Sequence, residues 1–297
     1  MRAQLSRRDV LPLIRRALAE DRASTDLTSR SVLPRGLRIR ADVIAKTPGI
    51  LAGVKTAALT FTAVDPSLRC RLKRHSGARV TAGATILTVE GRAASIFAAE
   101  RTALNFLGHL SGIATLTNRY ARAAHPVPVL DTRKTLPLLR ALEKCAVRIG
   151  GGSNHRSDLS EAILIKTNHL KALRARSSPQ SIVHSRQLIQ RAIARAKRAK
   201  PRKFVEIEVS NLHEFKAALQ AKPDAILLDN WSISNIRRAV RLRTGTPYTV
   251  HRTPILEVSG GVTLANIRAI ARTGVDRISI GRLTHSAPSL DMSLVVL

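Results

Sequence analysis

The sequence predicts an α/β protein in two parts, a smaller N-terminal part with an antiparallel sheet and a larger part with a parallel sheet. Residues 37–91 contain short alternating runs punctuated by glycines, which is typical of antiparallel strands. After residue 126, apolar runs rich in Val, Ile and Leu alternate with helical patterns, which is typical of parallel βαβ units. The 297 residues are enough to bury a large core.

The first element is a predicted amphipathic helix, DVLPLIRRALAED, at residues 9–21. Its apolar side consists of Val10, Leu11, Ile14 and Leu18. Charged residues interrupt it, so it lacks the continuous apolar region of an export signal, and no run approaches the roughly 18 apolar residues of a membrane span. The two cysteines, Cys70 and Cys145, cannot form a disulfide framework, so we expect a cytoplasmic protein.

The N-terminal strands are predicted within LRIRADVIAK, GILAG, RCRLKRH and ATILTVEG. The glycines predicted to form turns between them are Gly49, Gly53, Gly77, Gly83 and Gly91. Residues 93–124 return to helical spacing and predict one long helix. Its apolar stripe contains Ile96, Phe97, Leu104, Leu107 and Leu110.

Six apolar runs predict the strands of the parallel part: VPVLDT, ILIK, KFVEIEV, AILLD, PILEVSG and DRISIG. Helices are predicted at 136–147, 181–199, 211–221, 233–243 and 263–273. This alternation fits an α/β barrel, incomplete or closed, and it also fits a doubly wound open sheet. The segment 283–297 contains no further βα unit and is expected to pack back on the N-terminal part.

The formal net charge of +30 raises the question of nucleic-acid binding, because phosphate contacts require Lys and Arg. Aromatic residues make up only 3% of the chain, so base-stacking platforms are scarce. The cations are also spread along the chain rather than gathered in a tail. We therefore expect a basic surface that attracts anionic small substrates, and no dedicated nucleic-acid partner.

Five cations lie at or next to predicted strand ends: Arg133, Lys134, His155, Arg156 and Lys166. The carboxyl ends of barrel strands deliver their side chains into one mouth, so residues distant in sequence meet there. A mouth with this many cations indicates a ligand with several negative charges, such as carboxylates and phosphates. Taken alone, His155 is equally well explained as a capping or hydrogen-bonding residue.

Acidic side chains also lie on the predicted strands. In VEIEV, alternation places Glu206 and Glu208 opposite the apolar residues, so both point into the barrel. A carboxylate there requires a cation or a metal, and we expect Glu206 to pair with a buried base. Glu208 and Asp229 lie nearer the mouth and are candidate functional residues, although a lone aspartate at a strand end is commonly a helix cap or loop brace.

Glycine turns follow the last two predicted strands. Ser259, Gly260 and Gly261 precede a helical pattern, and Gly281 follows the final strand. Main-chain N–H groups in such turns bind phosphate, and these two loops are where barrels commonly place it. An ordinary tight turn explains the first loop equally well when it is considered alone.

Seven segments along the chain share a family's motifs in the family's order. They are LDTRKT, GGGSNHR, LIKTNH, VEIEV, LLDN, LEVSGG and ISIGRLTHS. They resemble the quinolinate phosphoribosyltransferase family, also called nicotinate-nucleotide pyrophosphorylase (carboxylating). The resemblance implies a TIM-like, incomplete α/β barrel at 115–282. It also implies an N-terminal α/β sandwich at 1–114, with 283–297 packed back on it.

The resemblance implies phosphoribosyl transfer from phosphoribosyl pyrophosphate to quinolinate, with loss of CO₂ and Mg²⁺ as cofactor, in NAD biosynthesis. The residues matching the quinolinate-carboxylate and phosphate contacts are Arg133, His155, Arg156 and Lys166, with Arg101 supplied by the second subunit of a homodimer. The matching catalytic residues are Lys134 near pyrophosphate, and Glu208 and Asp229 near ribose and magnesium. The 5′-phosphate cradle matches Ser259, Gly260, Gly261 and Gly281.

The chain departs from the family pattern at three places. Thr167 stands where the family usually has an acid, and Leu138 stands where it has glycine. Asp158, Leu159 and Ser160 stand where it has glycine–leucine–tyrosine. None of these changes removes a predicted charged contact. A related family associated with molybdenum transport shares TRKT and HR, but Lys166 with its following Asn168 and His169 favours the quinolinate enzyme.

Overall fold

The computed structural model describes residues 5–175, 185–244 and 253–297. The chain divides into two compact units. The first comprises Met1–Asn118, Lys134–Gly152 and Arg282–Leu297, and the second comprises Arg119–Arg133 and Ser153–Gly281. The domain boundaries proposed from the sequence, 1–114 with 283–297 and 115–282, stay a prediction.

The helices, in chain order, are α1 (Arg7–Glu20), α2 (Leu27–Val32), α3 (Val54–Val64), α4 (Ala93–Ala124), α5 (Arg140–Ile149), α6 (Thr167–Ala175), α7 (Ser185–Ala199), α8 (Leu212–Ala221), α9 (Ile233–Thr244), α10 (Ile267–Ala271) and α11 (Arg282–His285). The strands are β1 (Arg38–Ala45), β2 (Gly49–Ile50), β3 (Arg69–Leu72), β4 (Arg79–Val80), β5 (Thr85–Arg92), β6 (Val129–Leu130), β7 (Ile163–Ile165), β8 (Val205–Val209), β9 (Ala225–Asp229), β10 (Ile255–Ser259), β11 (Arg277–Ser279) and β12 (Met292–Val296). None of the described helices combines the length and the hydropathy that a membrane-spanning segment requires.

The first unit contains the predicted antiparallel sheet, with strand order β12–β1–β5–β3. The C-terminal strand β12 pairs with β1, with Val43 opposite Leu294. Two features differ from the sequence prediction. Helix α3 interrupts the strands and was not predicted, and Gly49 and Gly91 belong to β2 and β5 rather than to turns. Gly49 begins β2, and the β5 ladder continues through Gly91, so glycine alone did not mark a turn.

Helix α4 confirms the predicted long helix and its apolar stripe. Ile96, Leu104, Leu107 and Leu110 are buried, while Phe97 is half-buried. Gly112 lies against the C-terminal segment, where an added Cβ would overlap the carbonyl oxygen of Pro288. A glycine is required there because the two backbones approach too closely for a side chain.

The second unit contains a six-stranded, barrel-like parallel sheet in the order β6–β11–β10–β9–β8–β7. All six strands were predicted. Ser153 forms an isolated parallel bridge with Leu130 beyond β6, so a further segment extends this edge of the sheet. In the described part of the chain, no pairing joins Ser153 to β7 at the opposite edge. The mixed α/β architecture with an antiparallel and a parallel sheet is therefore confirmed.

Several helix boundaries differ from the predictions. Helices α5 and α10 are shifted or shorter than the predicted 136–147 and 263–273. Residues 181–184 of the predicted helix 181–199 lie outside the described residues. Asn168 and His169 belong to α6, where His169 Nδ1 accepts the N–H of Lys166 at 2.8 Å. Helix α1 is confirmed, with Val10, Ile14 and Leu18 buried.

The segment before α5 has a left-handed backbone at a non-glycine residue. Leu138 has φ +66° and is 74% exposed. An L-residue in this region costs roughly 1–2 kcal/mol, and the exposed side chain gains little burial in return. The family's glycine at this position is therefore explained by backbone geometry, and helix α5 begins only after the turn.

Replacing Leu138 by glycine should stabilise the protein. We expect Leu138→Gly to raise the free energy of unfolding by about 0.5–1 kcal/mol, because relief of strain exceeds the added entropy of the unfolded chain. Urea denaturation measures this. Leu136→Gly, at a neighbouring exposed leucine with ordinary φ, should lower stability. A less stable Leu138→Gly protein would contradict the strain interpretation.

Candidate active site

The strand register of the parallel sheet places three carboxylates on one face. Glu206 pairs with Ala225 and Glu208 pairs with Leu227, while Asp229 is the last residue of β9. Paired residues on parallel neighbours point to the same side, and so does every second residue along a strand. Glu206, Glu208 and Asp229 therefore share the inner face, as the alternation in the sequence predicted for the two glutamates.

Four charged side chains form an ion-pair network on this face. Arg277 Nη2 contacts Glu206 Oε1 at 3.0 Å, and its Nε contacts Glu257. His155 Nε2 lies 3.0 Å from Glu206 Oε2 and 3.5 Å from Glu257 Oε1. Both glutamates are buried. The predicted pairing of Glu206 with a base is confirmed, and the two bases, Arg277 and His155, are half-buried.

The network is electrically neutral when His155 is protonated. Burial by itself favours neutral imidazole, but hydrogen bonds and charge from Glu206 and Glu257 outweigh it and raise the pKa of His155 to about 9. For Glu257, burial opposes ionisation, whereas His155 and Arg277 hold the carboxyl pKa below its usual range. Two carboxylates thus face one imidazolium and one guanidinium.

His155, Glu206 and Glu257 form the one group of possible metal ligands found among the described residues, with ligand atoms within 4.8 Å of one another. An imidazolium has no free lone pair for a metal, and Arg277 already neutralises part of the negative charge. The geometry therefore describes an ion-pair network and does not describe a metal centre.

Sequence reasoning missed three members of this region. Glu257 lies between the apolar Leu256 and Val258, the same alternation that identified Glu206, so the signal was present. Arg277 begins β11 and carries no such local signal. Asp131 is fully buried and accepts Asn154 Nδ2 at 2.5 Å and the His155 N–H at 2.9 Å, which fixes the main chain that carries His155.

Two arginines lie close together beyond the strand ends. Burial and the nearby Arg133 charge lower the pKa of the Arg156 guanidinium. Arg156 Nη1 donates to Ala162 O at 3.0 Å. Arg133 Nε is buried without a hydrogen-bond partner among the residues that the structure describes. Two neighbouring guanidinium groups, one with a buried donor that lacks a hydrogen-bond partner, are a candidate site for an anion.

The predicted Lys166 follows β7, and its side chain is exposed. The next residue, Thr167, donates both its N–H and its hydroxyl to Glu208 Oε1, at 3.2 and 2.8 Å. Where the family has an acidic residue, this chain therefore has Thr167, a hydrogen-bond donor that holds Glu208 in place. Glu208 and Asp229 offer the hard oxygen ligands that Mg²⁺ prefers, so these residues fit that ion.

The glycine loop after β10 has the shape of a main-chain cradle. Gly260 and Gly261 have φ +80° and +60°, and an added Cβ at Gly260 would overlap the amide of Asn230. Asn266 Nδ2 donates to Gly261 O at 2.9 Å. Because β10 and β11 are neighbours, the loop that begins at Ser259 and the loop with Gly281 lie beside each other.

The remaining predicted site residues, Arg101 and Lys134, belong to the first compact unit. Arg101 is exposed on α4 and lines a cavity of about 350 Å³. The cavity is also lined by Ala17, Glu20, Asp21, Thr102, Asn105, Phe106, His109 and Leu139. Lys134 is exposed, and its carbonyl oxygen accepts the Thr284 hydroxyl at 2.7 Å.

The departure at residues 158–160 forms a local turn. Asp158 Oδ1 accepts the hydroxyl and the N–H of Ser160, both at 2.7 Å. The hydrogen bonds to Ser160 lower the pKa of the Asp158 carboxyl. An Asx-type turn thus replaces the backbone freedom that the family's glycine would supply.

The His155 network predicts a pH dependence of stability. The pKa of His155 in the folded protein lies above its unfolded value of 6.5. The stabilisation that protonated His155 provides is therefore complete below pH 6.5 and is lost as the pH rises through about 9. The variant His155→Gln keeps a hydrogen-bond donor but does not titrate. Relative to this variant, the free energy of unfolding of the wild type should fall by about 3 kcal/mol over this pH range.

The measurement is urea denaturation of both proteins at several pH values. The difference between them cancels the titration of other groups in this highly basic chain. A difference that stays constant from pH 6.5 to 9 would show that His155 is not held as an imidazolium.

Two family models match consecutive parts of the chain. The quinolinate phosphoribosyl transferase N-terminal domain matches residues 26–111, and the C-terminal domain matches residues 113–295. A relative from Mycobacterium leprae named nicotinate-nucleotide pyrophosphorylase [carboxylating] is 40% identical over 95% of both chains. A probable enzyme of the same name from Methanocaldococcus jannaschii is 39% identical over 96% of both.

A solved structure shows the same likeness in three dimensions. The nicotinate-nucleotide pyrophosphorylase from Francisella tularensis superposes with a TM-score of 0.86 at 37% identity, covering 99% of this chain and 98% of that one. The sequence matches and this superposition extend over nearly the whole length. The chain therefore belongs to the quinolinate phosphoribosyltransferase family.

Proposed function

We propose that the protein transfers the phosphoribosyl group of phosphoribosyl pyrophosphate to quinolinate, releasing pyrophosphate and CO₂ and forming nicotinate mononucleotide for NAD biosynthesis. It is an enzyme of the pentosyltransferase class. The names of the full-length relatives support this reaction. The observation that carries it is the paired Arg133 and Arg156 with a buried, unsatisfied Arg133 Nε, because quinolinate is a dicarboxylate.

In this proposal, the cations divide between the two substrates. Arg133 and Arg156 bind quinolinate carboxylates, which match the bidentate fork of a guanidinium. His155 and Lys166 complete the contacts to quinolinate, which accepts the phosphoribosyl group, and to phosphate. His155 does so while its Nε2 remains with Glu206. Arg101 adds a further cation from the second subunit of a homodimer.

Phosphoribosyl pyrophosphate has its own set of contacts. Main-chain groups of Ser259, Gly260, Gly261 and Gly281 hold the 5′-phosphate, as glycine turns and helix starts do elsewhere. Lys134 neutralises the leaving pyrophosphate. Glu208 and Asp229 would hold Mg²⁺ near the ribose. When bound, the ion would neutralise charge on the pyrophosphate.

The chemistry requires little covalent participation by the protein. The ring nitrogen of quinolinate attacks C1′ as the C1′–O bond to pyrophosphate breaks, and pyrophosphate leaves with the bonding electrons. Glu208 and Asp229 stabilise the positive charge that develops on the ribosyl centre. The pyridinium ring then accepts the electrons of the breaking carbon–carboxylate bond, CO₂ leaves, and a proton replaces it.

Two further properties belong to the proposal. Arg101 is exposed and forms no ion pair with the described residues, which suits a side chain that acts in a partner subunit. The two unpaired cysteines, Cys70 and Cys145, suit a reducing cytoplasm.

Product formation tests the reaction directly. Purified protein supplied with quinolinate, phosphoribosyl pyrophosphate and Mg²⁺ should release CO₂ and nicotinate mononucleotide in equal amounts. Lys134→Ala should lower turnover by roughly 100-fold or more, because a preorganised charge at the leaving group is lost. Lys216→Ala, at an exposed lysine of α8, is the control and should retain activity. An enzyme that uses another acceptor, or none, would overturn the assignment.

Mixing two inactive variants tests the contribution of Arg101 across subunits. Arg101→Ala and Lys134→Ala should each be inactive alone. If one site combines Lys134 with the partner's Arg101, each mixed dimer regains one intact site, so a statistical mixture recovers about a quarter of wild-type activity. Subunits should be exchanged under mild denaturation, and light scattering should confirm the dimer. No recovery would place Arg101 in its own subunit's site or outside it.

A further inference from the structure

A buried carboxylate connects helix α4 with the loop that follows Lys134. Glu143 on α5 is completely buried. Its Oε1 lies 2.9 Å from His109 Nε2 on α4, and its Oε2 accepts the main-chain N–H of Leu136 at 3.3 Å. All three residues belong to the first compact unit. One side chain thus holds a helix and a loop together.

The energetic cost of this arrangement indicates a positional role. Burying a carboxylate costs several kcal/mol unless it is fully paired, and apolar replacements of buried pairs are often at least as stable. The carboxylate of Glu143 forms directional hydrogen bonds, which an apolar side chain cannot form. One of its oxygens fixes the main chain two residues beyond Lys134.

Two other side chains hold the same loop. Thr284 Oγ1 donates to the carbonyl oxygen of Lys134 at 2.7 Å, and Arg140 Nε donates to Thr135 Oγ1 at 3.0 Å. Three consecutive residues, Lys134 to Leu136, are therefore each tied by a different side chain. The strained φ of Leu138 lies in the same loop. Such strain persists only where surrounding contacts over-determine the backbone.

The tied loop has an exposed side. Leu136 and Leu138 are 45% and 74% exposed, and Leu139, at the end of the loop, lines the cavity of about 350 Å³ together with His109 and Arg101. Packing alone fixes such a segment poorly, because its exposed side lacks contact atoms. The directional bonds of Glu143 supply the restraint instead.

We propose that Glu143, held by His109, is a positioning residue that keeps the Lys134–Leu136 main chain fixed so that Lys134 meets the leaving pyrophosphate without a prior rearrangement. The inference rests on the proposed function of Lys134. Glu143 itself touches no substrate, because both its oxygens are used within the protein.

The test compares Glu143→Gln with a matched control. Glutamine keeps the shape but replaces one carboxylate oxygen by an NH₂ donor, so the contact to His109 Nε2 survives only when that nitrogen accepts, and both contacts lose the charge of the carboxylate. We expect kcat to fall roughly 10- to 100-fold, with the KM for quinolinate little changed. Amide hydrogen exchange of the peptide covering residues 134–139, measured without substrate, should become faster.

The control is Asp65→Asn. Asp65 is also a buried carboxylate of the first unit, and it accepts hydrogen bonds from Ser67, Arg92 and Ser95. This variant should lose stability but keep the kcat and the loop exchange of wild type. If Asp65→Asn lowers kcat as much as Glu143→Gln does, the effect is general destabilisation and the positioning role is wrong.

Thr284→Val provides a second test if Glu143→Gln folds poorly. It removes the hydroxyl that binds Lys134 O without changing charge, and we expect faster loop exchange and a smaller fall in kcat, with rescue by Thr284→Ser. Unchanged exchange, or faster exchange with full kcat, would overturn the inference. A wild-type enzyme inactive on quinolinate would instead overturn the proposed function, while loop exchange would still report on the Glu143 tie.

Discussion

The interior of the parallel sheet depends on charge neutrality among four side chains. Glu206 and Glu257 come from different strands and would repel each other in a site from which water is largely excluded. Arg277 and protonated His155 balance them. Because breaking one member of such a set leaves an uncompensated buried charge, strands β8, β10 and β11 and the segment carrying His155 are held in one arrangement.

The second unit contains two different arrangements of charge, an ion-pair network and a pair of neighbouring arginines. Within the network, each charge has an opposite partner. At the strand ends, the Arg133 charge instead lowers the pKa of the neighbouring Arg156 guanidinium, and Arg133 Nε forms no hydrogen bond with the described residues. In the proposed function, the carboxylates of quinolinate would neutralise both guanidinium groups. His155 and Arg156 are consecutive, so the neutral network also holds the backbone of Arg156.

The departures from the family pattern are accommodated locally. Thr167 donates twice to Glu208, Asp158 closes a turn on Ser160, and Leu138 adopts the left-handed backbone suited to glycine. Each change is absorbed by hydrogen bonds or by strain within a few residues or on the neighbouring strand. The charged residues of the candidate site therefore keep their places on the strand ends.

The six parallel strands, the long helix α4 and the inward direction of Glu206 and Glu208 could be predicted from the sequence, because these follow from local periodicity. Which charges meet is visible only in the folded protein. His155 and Glu206 are 51 residues apart, and Arg277 and Glu206 are 71 apart. The His109–Glu143 tie and the raised pKa of His155 likewise depend on burial and on partners from other elements. No local pattern encodes such contacts, because they exist only after the chain has folded.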